Sequence, residues 1–114
     1  MTDTRGERSE WDDCIVVPSV PYSEDVFAFA REELRTRVSP APTEAVLDEY
    51  MADLANNYTA EMPLREYLGF AMLEETAIRF RLMARDSAEA GYAAKLHFGE
   101  VPTSIWCPEL RRPR

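Results

Sequence analysis

EETAIRFRLMARD, residues 74–86, fits both a helix and a strand, and this choice decides the predicted fold. Apolar side chains alternate with Arg79 and Arg81, as they do in a strand that buries one face. The same residues also belong to a long run of strong helix formers. A strand would bring Arg79 and Arg81 together on one exposed face, whereas a helix would point them in different directions.

The strand interpretation predicts a hairpin in which residues 76–84 pair with residues 92–98. Composition argues against this hairpin, because five alanines lie within residues 84–94 and alanine is depleted in strands. Alanine is also the best helix former, and the glycines nearby are natural breaks. We therefore favour a helix through the opening stretch, with a break within residues 86–91 and a shorter helix that ends near residue 97.

Further helices are predicted before this stretch. The first spans residues 24–37 and begins after Ser23, whose hydroxyl can cap it. The second begins after Thr43, and its apolar side chains recur at helical spacing as far as Tyr58. The third begins near residues 59–63 and continues into the opening stretch with apolar side chains on two sides. A helix of this kind is expected at the centre of a bundle.

The predicted fold is mainly α, a single-domain bundle of three to four helices, which suits a length of 114 residues. Two short apolar runs, CIVV at 14–17 and SIWC at 104–107, predict a short two-stranded sheet that joins the termini. The alternative is an α+β fold with the C-terminal hairpin described above. We expect a flexible acidic segment over residues 1–12, one globular domain over 13–110 and a basic tail over 111–114.

The charge of the chain is distributed unevenly. Residues 1–60 carry 13 acidic and 5 basic side chains, which accounts for the whole net charge of −8. Residues 61–114 carry eight of each sign. Concentrated negative charge argues against direct binding to nucleic acid and against an anionic membrane surface. It favours a partner protein with a basic surface.

We predict a non-enzymatic interaction module, such as an inhibitor, antitoxin or immunity protein, that docks on a basic and often nucleic-acid-binding surface of its partner. The predicted contacts are the acidic side chains of the first two helices: Glu24, Asp25, Glu32, Glu33, Glu44, Asp48, Glu49 and Asp53. One alternative is a small subunit of a larger enzyme or phage assembly. Another is a ligand-binding protein or enzyme with a pocket near His97, Tyr67 and Tyr92. A homo-oligomer is compatible with each of these hypotheses.

No motif in the sequence specifies catalysis or metal binding. His97 is the only histidine, so any Ser-His-Asp or Cys-His relay would have to use it, and no spacing links it to the possible nucleophiles Cys14 and Cys107. His97, Glu100 and Cys107 have the side-chain types of metal ligands but lack the paired ligands of zinc motifs. The four glycines are scattered and form no phosphate-binding loop. We therefore predict no catalytic residue, no metal site and no cofactor.

The N-terminal sequence and the cysteines indicate the cellular compartment in which the protein is located. The first residues are polar and acidic, without the apolar segment of a signal peptide. No apolar run approaches the roughly 20 residues that span a bilayer. Cys14 and Cys107 lie far apart and form no paired motif, which is typical of reduced thiols. We predict a cytoplasmic protein.

Overall fold

The computed structural model describes residues 14–108, which form an α+β fold with a four-stranded sheet. The elements in chain order are β1 (Ile15–Val16), α1 (Asp25–Arg37), α2 (Glu44–Asn57), β2 (Arg65–Leu73), β3 (Thr76–Ala84), α3 (Ser87–Phe98) and β4 (Ser104–Trp106). The predicted mainly helical bundle is therefore wrong. The expected flexible segment 1–12 and the basic tail 111–114 lie outside the described residues.

The sheet is built around the β2–β3 hairpin. Its strand order is β1-β3-β2-β4, in which β1 runs parallel to β3 and the other pairs are antiparallel. Strands β1 and β4 therefore lie at opposite edges, and the predicted pairing of CIVV with SIWC does not occur. Two central strands separate these edges, and neither Cys14 nor Cys107 takes part in a disulfide bond.

The opening stretch forms strand β3, and the helix that we predicted there is wrong. Its partner is β2, residues 65–73, which was predicted to be part of the same helix. Residues 92–98, the partner in the alternative hairpin, lie in α3 instead. The turn consists of Glu74 and Glu75, with φ of 51° and 68°. Two-residue hairpin turns with positive φ usually contain Asn, Asp or Gly, so two glutamates gave no turn signal.

Burial of the sheet face on which the helices pack, here called the inner face, explains why residues 76–84 form a strand and not a helix. Phe80 and Leu82 are almost fully buried and lie opposite Gly69 and Tyr67 on β2. A Cβ added at Gly69 would lie 2.6 Å from the Phe80 ring, so this ring fits under β2 only because position 69 is glycine. Such contacts form only after the strands pair, and helix propensity does not anticipate them.

Helices α1 and α2 form at the predicted positions. The Ser23 hydroxyl accepts a hydrogen bond from the Asp25 N–H at 3.0 Å, but the N-cap of α1 is Glu24, whose side chain makes no capping hydrogen bond, so the predicted Ser23 cap is not formed. The Thr43 hydroxyl accepts from the Val46 N–H at 3.3 Å and caps α2. The start of α2 therefore depends on a side chain next to the helix end, and such a local signal can be recognised in a sequence.

The helices lie on one side of the sheet in successive layers. Helix α3 packs on the inner face through Ala90, Ala93 and Ala94, and α1 packs on α3. Helix α3 ends at Gly99 in the left-handed conformation, while Gly91, which we expected to interrupt it, lies inside it. Within residues 14–108, no helix covers the opposite face of the sheet. We call this opposite surface the outer sheet face.

Candidate functional site

Helix α2 presents four of the eight predicted contact residues to solvent. Glu44, Asp48, Glu49 and Asp53 are all exposed, and α2 contains no basic residue. Its opposite side buries Leu47 and other apolar side chains against the rest of the domain. The helix therefore carries a net charge of −4, all of it on the exposed side.

The four carboxylates of α2 differ in their pairing. Arg31 on α1 forms ion pairs with Glu44 at 2.6 Å and with Asp48 at 3.3 Å. Glu49 and Asp53, which are one helical turn apart, have no basic partner among the described residues. Like charges at this spacing repel each other. One half of the α2 surface is thus partly neutralised and the other half is not.

The acidic residues of α1 have a different environment. This helix carries three acidic and three basic side chains, so its net charge is zero. Glu33 pairs with Arg37 at 3.1 Å, and Asp25 accepts a hydrogen bond from the Tyr92 hydroxyl at 3.4 Å. Glu24 and Glu32 are exposed. The uncompensated negative charge of the two helices is therefore concentrated on α2.

A buried ionic cluster, which sequence reasoning missed, connects α2, β3 and α3. Glu89 is fully buried and accepts hydrogen bonds from the Tyr58 hydroxyl and, at 2.9 Å, from the Arg85 guanidinium. Burial, reinforced by the hydrogen bond to Glu89, raises the pKa of Tyr58 well above its usual value. In the sequence, Asp86 and Glu89 have the spacing of a capping box, which indicates an exposed helix start rather than a buried charge.

The members of this cluster are shielded from solvent, and we expect their main effect to be on stability. Tyr58 is 1% exposed and Glu89 0%, so no substrate reaches them in this conformation. The Glu89 carboxylate also accepts from the Arg85 backbone N–H at 2.8 Å, which fixes the start of α3 relative to the end of β3. Asp86 caps α3, and burial raises its pKa in spite of its hydrogen bonds to backbone N–H groups.

A groove of 570 Å³ lies between α1, the start of α3 and residues 101–106. Phe29, Leu34 and Ile105 are among its apolar walls, and the absence of bulky side chains at Ala88 and Gly91 leaves room along α3. The volume is in the range of small-molecule pockets. Its lining contains neither histidine nor cysteine, so His97, Cys14 and Cys107 are not brought together there.

The polar groups of the groove are largely occupied within the protein. The Arg37 guanidinium pairs with Glu33 and donates to the Pro102 carbonyl at 3.2 Å. Burial raises the pKa of the Tyr50 hydroxyl, and the negative charge of Asp86 adds to this effect. The groove consequently presents neutral hydroxyls rather than an unpaired charge.

The three residues of the predicted pocket are not brought together. His97 is exposed at the end of α3, where its ring contacts Phe98. Tyr67 is buried in the sheet core, and this burial raises its pKa to about 12. Tyr92 packs against Phe29 in the helical layer. None of the three lines the groove described above, and none lines a second cavity that lies beside β1.

Neither a cluster of metal ligands nor a membrane-spanning helix occurs among the described residues. Residues 14–108 contain no group of three His, Cys, Asp or Glu side chains arranged to hold a metal ion. In the same part of the chain, no helix combines the length and the apolar character required to cross a bilayer. Comparisons with protein families, curated proteins and solved structures give no match to this chain. Its function must therefore be inferred from geometry and charge.

Proposed function

We propose that the protein is a non-enzymatic interaction module that docks through helix α2 on a basic surface of a partner protein. The observation that carries this proposal is the exposed, like-charged pair Glu49 and Asp53, which has no basic partner among the described residues. A like-charged pair one turn apart destabilises a helix by about 0.2–0.5 kcal/mol. A partner that supplies basic side chains removes this repulsion, so the cost is recovered on binding.

The side chains between the carboxylates support the same proposal. Ala45 and Ala52 lie on the exposed side of α2, where small side chains allow a partner to approach closely. Charge complementarity of this kind mainly accelerates association and fixes orientation, and it is weakened by salt. We therefore expect fast, salt-sensitive binding, with Arg31 limiting the contribution of Glu44 and Asp48.

A matched pair of charge reversals tests this proposal. Glu49→Lys with Asp53→Lys changes the charge of α2, whereas Glu61→Lys with Glu100→Lys makes the same change at exposed positions elsewhere. Each variant and the native chain are immobilised and exposed to a lysate of the source cells, and the bound proteins are quantified by mass spectrometry. We expect the α2 variant to lose a basic protein that the control variant retains.

Folding is verified for each variant by circular dichroism and thermal unfolding. Equal retention of the same basic proteins by both variants would contradict docking through α2. Loss in both variants would indicate that only the overall net charge matters, which also contradicts it.

We also propose a cytoplasmic location for this interaction. Cys14 and Cys107 lie near opposite edges of the sheet and take part in no disulfide bond, as is usual for proteins of reducing compartments. Fractionation of the source cells with detection of the native chain measures this directly. Recovery in a membrane or secreted fraction would contradict it.

A further inference from the structure

The outer sheet face carries apolar side chains at positions that the strand alternation turns away from α3. Val16 on β1, Met72 on β2 and Met83 on β3 are 62%, 47% and 42% exposed. Phe70 and Trp106 extend this surface across β2 and β4, with ring centroids 5.9 Å apart. Apolar side chains grouped in this way are typical of a binding surface.

The charge of the outer sheet face is opposite to that of the whole protein. Arg79 lies directly across from Phe70, and Arg81 lies two residues further along β3 on the same face. Glu66 is the acidic residue that β2 adds there, and its carboxylate lies 3.8 Å from the Arg81 guanidinium. The described part of this face therefore carries two basic groups and one acidic group in a chain of net charge −8.

The outer sheet face also has a concave edge. A cavity of 470 Å³ lies beside β1, and it is lined by Val16, Arg81 and Met83 among others. Strand β1 pairs with only two residues of β3, Phe80 and Arg81. The cavity thus places apolar side chains and the Arg81–Glu66 ion pair next to the point where the chain enters the sheet.

We propose that the outer sheet face binds the acidic segment that precedes it in the chain, residues 1–13. This segment contains five acidic and two basic side chains and one tryptophan, Trp11. Its carboxylates complement Arg79 and Arg81, and its indole complements the surface around Phe70. The inference is independent of docking through α2, because it concerns a different face and different residues.

The connection of the segment to the sheet makes this binding geometrically feasible. Residue 13 directly precedes Cys14 and β1, and β1 lies beside β3, the strand that bears both arginines. Three extended residues span about 10 Å, and neighbouring strands are about 4.8 Å apart. Trp11 is therefore within reach of Phe70 on β2, two strands away from β1. Because the segment is tethered, it has a high effective concentration at this face.

Trypsin cleavage of the full-length chain tests this proposal. The cleavage rate after Arg8 is measured by mass spectrometry in the native chain and in an Arg79→Glu, Arg81→Glu variant. We expect cleavage to be about tenfold faster in the variant, because a bound segment must detach before the protease can act on it. The control variant, Arg35→Glu with Lys95→Glu, reverses two other exposed basic residues and should cleave at the native rate.

Two further variants keep the test decisive if the arginine reversals impair folding. Trp11→Ala leaves the sheet unchanged and should also accelerate cleavage after Arg8. Asp12→Asn with Asp13→Asn removes two carboxylates from the segment without creating a trypsin site, and it should accelerate cleavage after Arg8 as well. Unchanged cleavage in both the arginine variant and Trp11→Ala would overturn the proposal.

Analytical ultracentrifugation shows whether the outer sheet face is occupied by a second copy of the chain instead of by residues 1–13. A native dimer that the arginine reversals dissociate, with cleavage after Arg8 unchanged, would assign the face to self-association and overturn binding of residues 1–13. A monomer with accelerated cleavage in the variants supports the proposal.

Discussion

Helix α2 and the β2–β3 hairpin show two different balances between local and long-range interactions. Helix α2 begins at a capping threonine, buries one apolar side and leaves its carboxylates in solvent. The hairpin turns through Glu74 and Glu75 in an unfavourable conformation, and its stabilisation comes from Phe80 buried beneath Gly69. Substitutions on the surface of α2 are therefore expected to change the free energy of unfolding by tenths of a kcal/mol. Substitutions that remove buried contacts near the hairpin are expected to lower it by about 2–5 kcal/mol.

The largest expected effect comes from breaking the buried ionic cluster, which links the end of α2 to the end of the hairpin. Glu89→Ala leaves the Arg85 guanidinium and the Tyr58 hydroxyl without their buried partner. Removal of one member of a buried ion pair typically destabilises a protein by about 3–5 kcal/mol. The free energy of unfolding is measured by urea denaturation. Glu100→Ala, at an exposed position, serves as the control, and an equal loss in both variants would show that the cluster is not stabilising.

An intermediate effect is expected at the hairpin turn, where the stability should rise. Glu74→Asn with Glu75→Gly introduces residues that tolerate positive φ. Because the left-handed conformation costs an ordinary residue about 1–2 kcal/mol, we expect a gain of about that size. Thermal unfolding provides the measurement. An unchanged or lower melting temperature would mean that the two glutamates make compensating contacts in the turn.

The smallest expected effect concerns the exposed carboxylates of α2. Asp53→Lys replaces repulsion with attraction, because it places a basic side chain four residues after Glu49, which is the favourable orientation for an ion pair on a helix. The free energy of unfolding, measured by urea denaturation, should therefore rise by about 0.5 kcal/mol. The same variant should bind the proposed basic partner less well. A gain in stability with unchanged partner capture would mean that Asp53 does not contribute to docking. A loss of stability would contradict the proposed repulsion between Glu49 and Asp53.

Local signals made helices α1 and α2 predictable, together with the outward position of the α2 carboxylates. Thr43 caps the start of α2, and the apolar period of both helices identifies the side that is buried. The candidate contacts on α2 could therefore be predicted without coordinates. Glu89 could not, because its burial results from the convergence of Tyr58 and Arg85, which are distant from one another in the sequence.

Strand β2 illustrates why the rest of the fold was not predictable. Its leucines, methionine, alanine and glutamate are good helix formers, and the turn that follows lacks glycine and asparagine. Helix and strand propensities differ by no more than about 1 kcal/mol per residue. Complete burial of a side chain such as Phe80 contributes about 1.5–3 kcal/mol, so long-range packing decides the conformation.

The sequence by itself determined the first two helices, the Thr43 cap of α2 and the concentration of negative charge in the N-terminal half, because each depends on neighbouring residues or on composition. Only the tertiary structure decided that residues 74–86 contain a strand, that Arg79 and Arg81 share one face and that β1 and β4 lie at opposite edges of the sheet. The physical reason is that strand pairing and the burial of Phe80 join residues far apart in the chain, and their free energy exceeds the local preference for helix.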